Sequence, residues 1–126
     1  MDPNPKMMAF VEKYKKANKG NYPDSWAVMA YESLYLYKAA AEKAKTIETE
    51  AVIKAMEGIS VDLLRGPYTI RPLDHMGTVP CYQGTIAKVP EYPFKIWKDI
   101  SRIPGEQVIR PEAQVREIWK KTGVQR

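Results

Sequence analysis

YPDSWAVMAYESLYLYKAAAEKAK, from Tyr22 to Lys45, is the longest apolar-periodic run in the chain, and its reading decides how the rest is organised. It reads as a helix. Pro23 suits a first turn, where a missing N–H costs nothing, and Asp24 or Ser25 can accept from the free amides that follow. Trp26, Met29, Ala30, Ser33, Tyr37, Ala40 and Ala44 recur at spacings of three and four, while Ala27, Tyr31, Leu34 and Tyr35 fill a second face. The helix is therefore expected to be covered on more than one side. Glu32 and Lys38, the central tyrosines and a charged C-terminal end argue against a membrane span. What remains is a soluble core helix.

The bulk composition agrees with that reading. A chain of 126 residues is enough for one core, so residues 1–126 are read as a single domain or fragment. With 44% hydrophobic and 28% charged residues it has the makeup of a folded protein. Its ten prolines fall mostly after position 66, which places turns and extended segments in the second half. The net charge of +5 permits an anionic partner, but the lysines sit on helix ends and polar faces, where the helix dipole and solvation account for them. Nucleic-acid binding is not expected.

Working outward, Asn4 caps a first helix running to Lys19, with Pro5 at the first helical position and Gly20 just past the end. Met7, Phe10, Val11, Tyr14 and Ala17 form its apolar stripe, and Lys13, Lys15, Lys16 and Lys19 its wet face or end. Thr46 or Thr49 caps a short third helix that stops at Gly58. Beyond it the period changes. Residues 58–67 show no helix, and Gly66-Pro67 marks a bend. Tyr68–Arg71 and Val79–Lys88 read as extended and able to pair as a hairpin, Phe94–Ile103 as a third strand, and Pro104-Gly105 as a type II turn. Gln107–Arg110 reads as extended, and Pro111 opens a last helix that Gly123 ends. The order is three helices, then two or three strands with an antiparallel hairpin, then a C-terminal helix.

Few residues suggest chemistry. The lone Cys81 excludes an internal disulfide and any CxxC site, and is expected to pack inside. There is one histidine, His75, so a metal site or a Ser-His-Asp triad lacks partners, and glycine-rich phosphate loops are absent. Asp74 and His75 are neighbours in an extended segment, where adjacent side chains point to opposite sides. No enzyme, cofactor or metal is expected. The opening MDPNPKMMAF lacks the basic start and continuous apolar core of a signal peptide.

The order of residues from Phe10 to Gly84 resembles the C-terminal part of type I periplasmic solute-binding proteins of the branched-chain amino acid class. Phe10, Tyr14, Gly20 and Pro23 match a helix of the form F-x-x-x-Y and the loop after it. Ala27, Tyr31 and Ala40 match the next helix. Ala51, Val52, Ala55 and Gly58, with Thr46 slightly offset, match a third segment, and Gly66, Arg71, Asp74 and His75 a fourth. Tyr82 and Gly84 match a later Y-x-G. No one of these motifs is specific, so their order and spacing carry the resemblance.

That resemblance implies an α/β fold, a fragment equivalent to the C-terminal third of a two-lobed protein that closes on a small ligand and delivers it to a transporter. It implies a truncated or C-terminal portion of an ABC-transporter solute-binding protein for branched-chain amino acids or related small amides and acids. Its partners would be the amino acid or an analogue and the membrane permease. Asp74, His75 and Tyr82 are the matched polar positions that would approach the ligand. The resemblance implies a periplasmic or extracellular location, whereas the missing leader implies a cytoplasmic one if the short form is natural. Helices and strands without the rest of such a fold would leave apolar faces uncovered, so a homo-oligomer is expected. The alternative is a small basic protein- or nucleic-acid-interaction module that keeps the scaffold without transport.

Overall fold

Asn4 and Pro5 begin the first helix as their chemistry suggests. In α1 (Pro5–Ala17) the Asn4 side chain accepts from the Lys6 amide at 3.0 Å, and Pro5 takes a position whose N–H needs no partner. The structure, a computed structural model, describes residues 4–124, so Met1, Asp2 and Pro3 of the stretch read for a leader lie outside it. In α2 (Ser25–Ala44) Asp24 accepts from the Ala27 amide at 2.9 Å, and Lys45 ends the helix in the left-handed region. The third, α3 (Thr49–Met56), is capped by Glu48 rather than by either threonine. Glu48 is long enough to take the amides of both Glu50 and Ala51, and the Thr46 hydroxyl accepts from the Glu48 amide instead.

The described residues divide into two compact units, one up to Gly77 and one from Thr78 onward. The first holds the three helices and a sheet of order β1-β2-β3, made of β1 (Ser60–Leu63), β2 (Gly66–Ile70) and, at the junction of the units, β3 (Gly77–Thr78). β1 and β2 run antiparallel with Val61 opposite Tyr68 and Leu63 opposite Gly66. Residues 58–67 are free of helix, as expected, and hold β1. One expectation is corrected: β2 pairs with β1 rather than with the segment at Val79–Lys88. A turn of only Leu64 and Arg65 brings β1 and β2 together at small entropic cost, so the neighbour in sequence wins.

The core of this unit is Leu36 and Ala40 from α2, Val52 from α3, and Ile59, Leu63 and Ile70 from the sheet side. Ala39, Ala41 and Ala44 pack around it, and their small side chains let α3 and β1 come close to α2. Only Glu32, Leu36 and Ala40 of α2 are buried, one line at four-residue spacing. Cover on several sides is therefore not found. Trp26 is 74% exposed and Leu34 69%, with Met29 and Tyr37 also open.

In the second unit the two segments read as extended at Val79–Lys88 and Phe94–Ile103 form β4 (Cys81–Lys88) and β5 (Lys95–Ile103), which pair antiparallel with each other. Gln83 faces Ser101 and Thr85 faces Lys98, so Gly84 alone stands opposite Asp99 and Ile100. Asp99 absorbs this bulge with a φ of 51°. A side chain at Gly84 would place its Cβ 2.6 Å from the Lys98 carbonyl oxygen, which explains glycine there. Neither face of the ribbon is buried throughout, and Cys81, expected inside, is exposed.

Pro104-Gly105 is not a type II turn. Gly105 lacks the positive φ such a turn needs and instead opens a single helical turn, α4 (Gly105–Val108), which overlaps the stretch expected to be extended. Pro111 then precedes α5 (Glu112–Thr122), and Gly123 closes it at φ 71°. Val115 is its buried residue.

Candidate functional site

Pro72 cannot donate and holds Arg71 away from helix, so the chain leaving β2 has to turn. The turn closes on itself. The Arg71 amide donates to the Met76 carbonyl and the His75 amide to the Arg71 carbonyl, both at 2.9 Å. Asp74 ties the inside of it. One carboxylate oxygen accepts from Arg71 Nε at 2.8 Å and from the Met76 amide at 3.2 Å, while the other accepts from the far guanidinium nitrogen. Both side chains are largely buried. The Arg71 guanidinium holds the Asp74 carboxyl below the usual aspartate range, with the Met76 amide adding to the effect.

His75 leaves the same turn in another direction. Its φ of 58° puts it in the left-handed region, and its ring Nε2 lies 3.4 Å from a Glu57 carboxylate oxygen at the end of α3. The imidazole is 42% exposed. Glu57 also takes Lys54 Nζ at 2.8 Å; that lysine is the main reason its carboxyl is held low, and His75 contributes. Adjacent in sequence, Asp74 and His75 thus serve different partners. Tyr82, the third expected position, is half-buried on β4 in the second unit, in register with Arg102.

The turn gives an acid-sensitive contribution to stability. Because the folded carboxyl of Asp74 titrates below its unfolded value, its contribution is complete above the ordinary aspartate range and is lost as pH falls through the depressed folded value. Asp74→Asn is expected to lower stability by roughly 1–3 kcal/mol at neutral pH and to flatten the acid limb of the stability profile. Urea denaturation of both proteins from neutral pH down to pH about 3 checks this. A variant that keeps the wild-type acid limb would remove Asp74 from the explanation.

Glu32 is the functional-looking residue that periodicity missed. It read as a charge interrupting an apolar run, yet it is 1% exposed and is the only buried charged residue among those described. One oxygen accepts from the Arg65 amide at 2.9 Å, and the other from Arg65 Nε at 2.7 Å. The pair anchors the turn between β1 and β2 to α2. The signal was its spacing, because Glu32 stands four residues before Leu36 and eight before Ala40.

Beside this anchor lies an open cleft of about 300 Å³. Phe10 and Lys13 reach it from α1, Tyr31 and Tyr35 from α2, and Leu63 and Leu64 from the β1 end. No described group of three or more His, Cys, Asp or Glu side chains could hold a metal ion. Among the described residues no helix is long and apolar enough to cross a membrane.

The fold and sequence have relatives. A family model for the periplasmic binding proteins matches residues 1–89. Among solved structures, the chain is similar to a branched-chain amino acid transporter protein of the ABC type from Rhodopseudomonas palustris, at 24% identity and a TM-score of 0.75, covering 87% of this chain and 30% of that one. It is similar to the leucine-, isoleucine-, valine-, threonine- and alanine-binding protein of Brucella ovis in its closed conformation, at 27% identity and a TM-score of 0.73, with the same coverage of 87% and 30%. A third is the solute binding protein of an ABC transporter from Rhodopseudomonas palustris BisB5 in complex with 3,4-dihydroxybenzoic acid, at 23% identity, a TM-score of 0.69, and coverage of 90% and 30%. The first and third support the fold alone. The chain thus spans about 30% of the length of each of these structures. No curated protein matches it. With the family model matched over more than half of its residues, the chain belongs to the periplasmic binding protein family.

Proposed function

We propose that this chain serves solute capture for an ABC transporter, as part of a non-catalytic binding protein for branched-chain amino acids or related small amides and acids. The match of residues 1–89 to the family carries the reading, and the likeness to the Brucella ovis protein, at 27% identity, supports the choice of solute. Its partners are the solute, a membrane permease and further copies of the chain, and its location is the periplasm. The matched part corresponds to the C-terminal third of a two-lobed clamp. Asp74, His75 and Tyr82 are the positions assigned to the solute. Asp74 would act there mainly by holding the turn that presents His75, since both its oxygens are already used.

Open apolar side chains support the self-association, with Trp26, Leu34, Ile47 and Ile86 each more than half exposed. The test is a chimera in which residues 4–124 replace the matching part of the Brucella ovis protein. Calorimetry should show retained binding of leucine or a related amino acid, weakened when His75→Ala is added. A folded chimera that binds none of them overturns the reading.

A further inference from the structure

The cleft on the first unit uses none of the residues assigned to the solute above, and its chemistry is specific. Phe10 is buried, with its ring centroid 4.8 Å from that of Tyr31. Tyr31 in turn lies 4.5 Å from Tyr35, the two rings 32° apart in plane. This continuous aromatic wall is not closed over, because Tyr35 remains 46% exposed at its outer end. Buried Leu63 and Leu64 complete the apolar lining. The neighbouring Tyr35 hydroxyl is the main cause that raises the Tyr31 pKa above the ordinary tyrosine value, with burial adding to it.

Charge is distributed unevenly around the rim. Lys6 and Asp62 form an ion pair, and Lys6 Nζ also donates to the Asp62 carbonyl at 3.2 Å. Lys13 has no anionic partner among the described residues, although its neighbour Lys15 is paired with Glu12. With Lys6 cancelled by Asp62, the cleft is left with one net positive charge, on Lys13. Its volume is at the small end for ligand sites, which suits one ring rather than a nucleotide.

We infer that this cleft binds a small planar aromatic monoanion, an arene carboxylate, with its ring on the Tyr31–Tyr35 wall and its carboxylate on Lys13. The ring gains offset or edge contacts with exposed aromatic surface, and the carboxylate gains a charge-assisted hydrogen bond. Other solutes satisfy only part of the site. Inorganic phosphate leaves the rings wet. An aliphatic amino acid lacks a flat face and brings an ammonium group toward Lys13. A neutral arene leaves the lysine unpaired.

Benzoate is the probe, titrated into the full chain while backbone amide NMR shifts are followed. Saturable shifts at Ala9, Lys13, Tyr31 and Tyr35 are expected, with benzamide and phosphate binding more weakly. Lys13→Gln and Tyr35→Ala alter exposed side chains and should leave the fold intact. Each is expected to weaken benzoate binding about five- to tenfold. The inference is overturned if benzoate causes no saturable shift at these amides, or if both variants bind it as well as wild type. It is equally overturned if the shifts track protein concentration instead of benzoate, since a second copy would then be the occupant. None of these outcomes depends on leucine binding by the chimera.

Discussion

Arg65→Ala is expected to destabilise the first unit by about 3–5 kcal/mol, the cost typical of leaving a buried charge without its partner. Glu32 is almost completely shielded from water, and Arg65 supplies the side-chain donors that compensate its charge. The substitution keeps the backbone N–H of residue 65 as a donor but removes the guanidinium, leaving the carboxylate in an apolar setting with Leu36 and Ala40 one and two turns away. Against a total stability of about 5–15 kcal/mol, such a loss would unfold a large share of the molecules. Urea denaturation followed by helix circular dichroism measures it.

The same physics predicts that a double change, Glu32→Leu with Arg65→Leu, recovers part of the loss. Replacing both members of a buried pair with apolar groups removes the desolvation cost together with the attraction. Recovery should be incomplete, because the Arg65 amide then lacks the acceptor it has at 2.9 Å. A loss below about 1 kcal/mol for Arg65→Ala would mean that the pair behaves as an exposed one.

Gly105→Ala is expected to destabilise the second unit by about 1–3 kcal/mol or more, the cost of forcing atoms into occupied space. The sign is the informative part. In an ordinary helical position alanine is favoured over glycine by about 1 kcal/mol. Here, however, a Cβ would lie 2.7 Å from the Thr78 carbonyl carbon and 2.8 Å from the Val79 nitrogen. Both are backbone atoms, so no rotamer change relieves the clash. Gly105 is itself buried, and α4 would have to move away from the Thr78–Val79 segment. Thermal unfolding of the variant against wild type decides the matter, and a stabilised variant would rule out the close approach.

Gly105 also shows why sequence reading failed where it did. Pro-Gly is a strong turn signal, and the residues carry no mark that the glycine is needed for backbone proximity instead of positive φ. The hairpin error has a similar origin. Tyr68–Arg71 and Val79–Lys88 are both extended, but extension alone does not name a partner, and β1 is too short to register as a period. Helices were more legible, because a cap, a stop and a repeat of three or four residues lie close together in the chain. α1, α2, α3 and α5 fall within a few residues of where their signals put them. Of the site, the divergence of the Asp74 and His75 side chains was readable from their adjacency, although the segment read as extended is a closed turn. That Arg71 would occupy both Asp74 oxygens was not.

Local chemistry was therefore enough to establish α1, α2, α3 and α5, the individual β4 and β5 strands, and, through the order of weak motifs, membership of a binding-protein family. Folding in three dimensions settled which face of α2 is inside, which strands pair, and that Glu32 is a buried anchor instead of a solvated charge. The division follows from range. Caps, periodicity and left-handed stops act within a few residues, whereas burial and pairing depend on groups such as Glu32 and Arg65 that are distant in the chain and meet only when it folds.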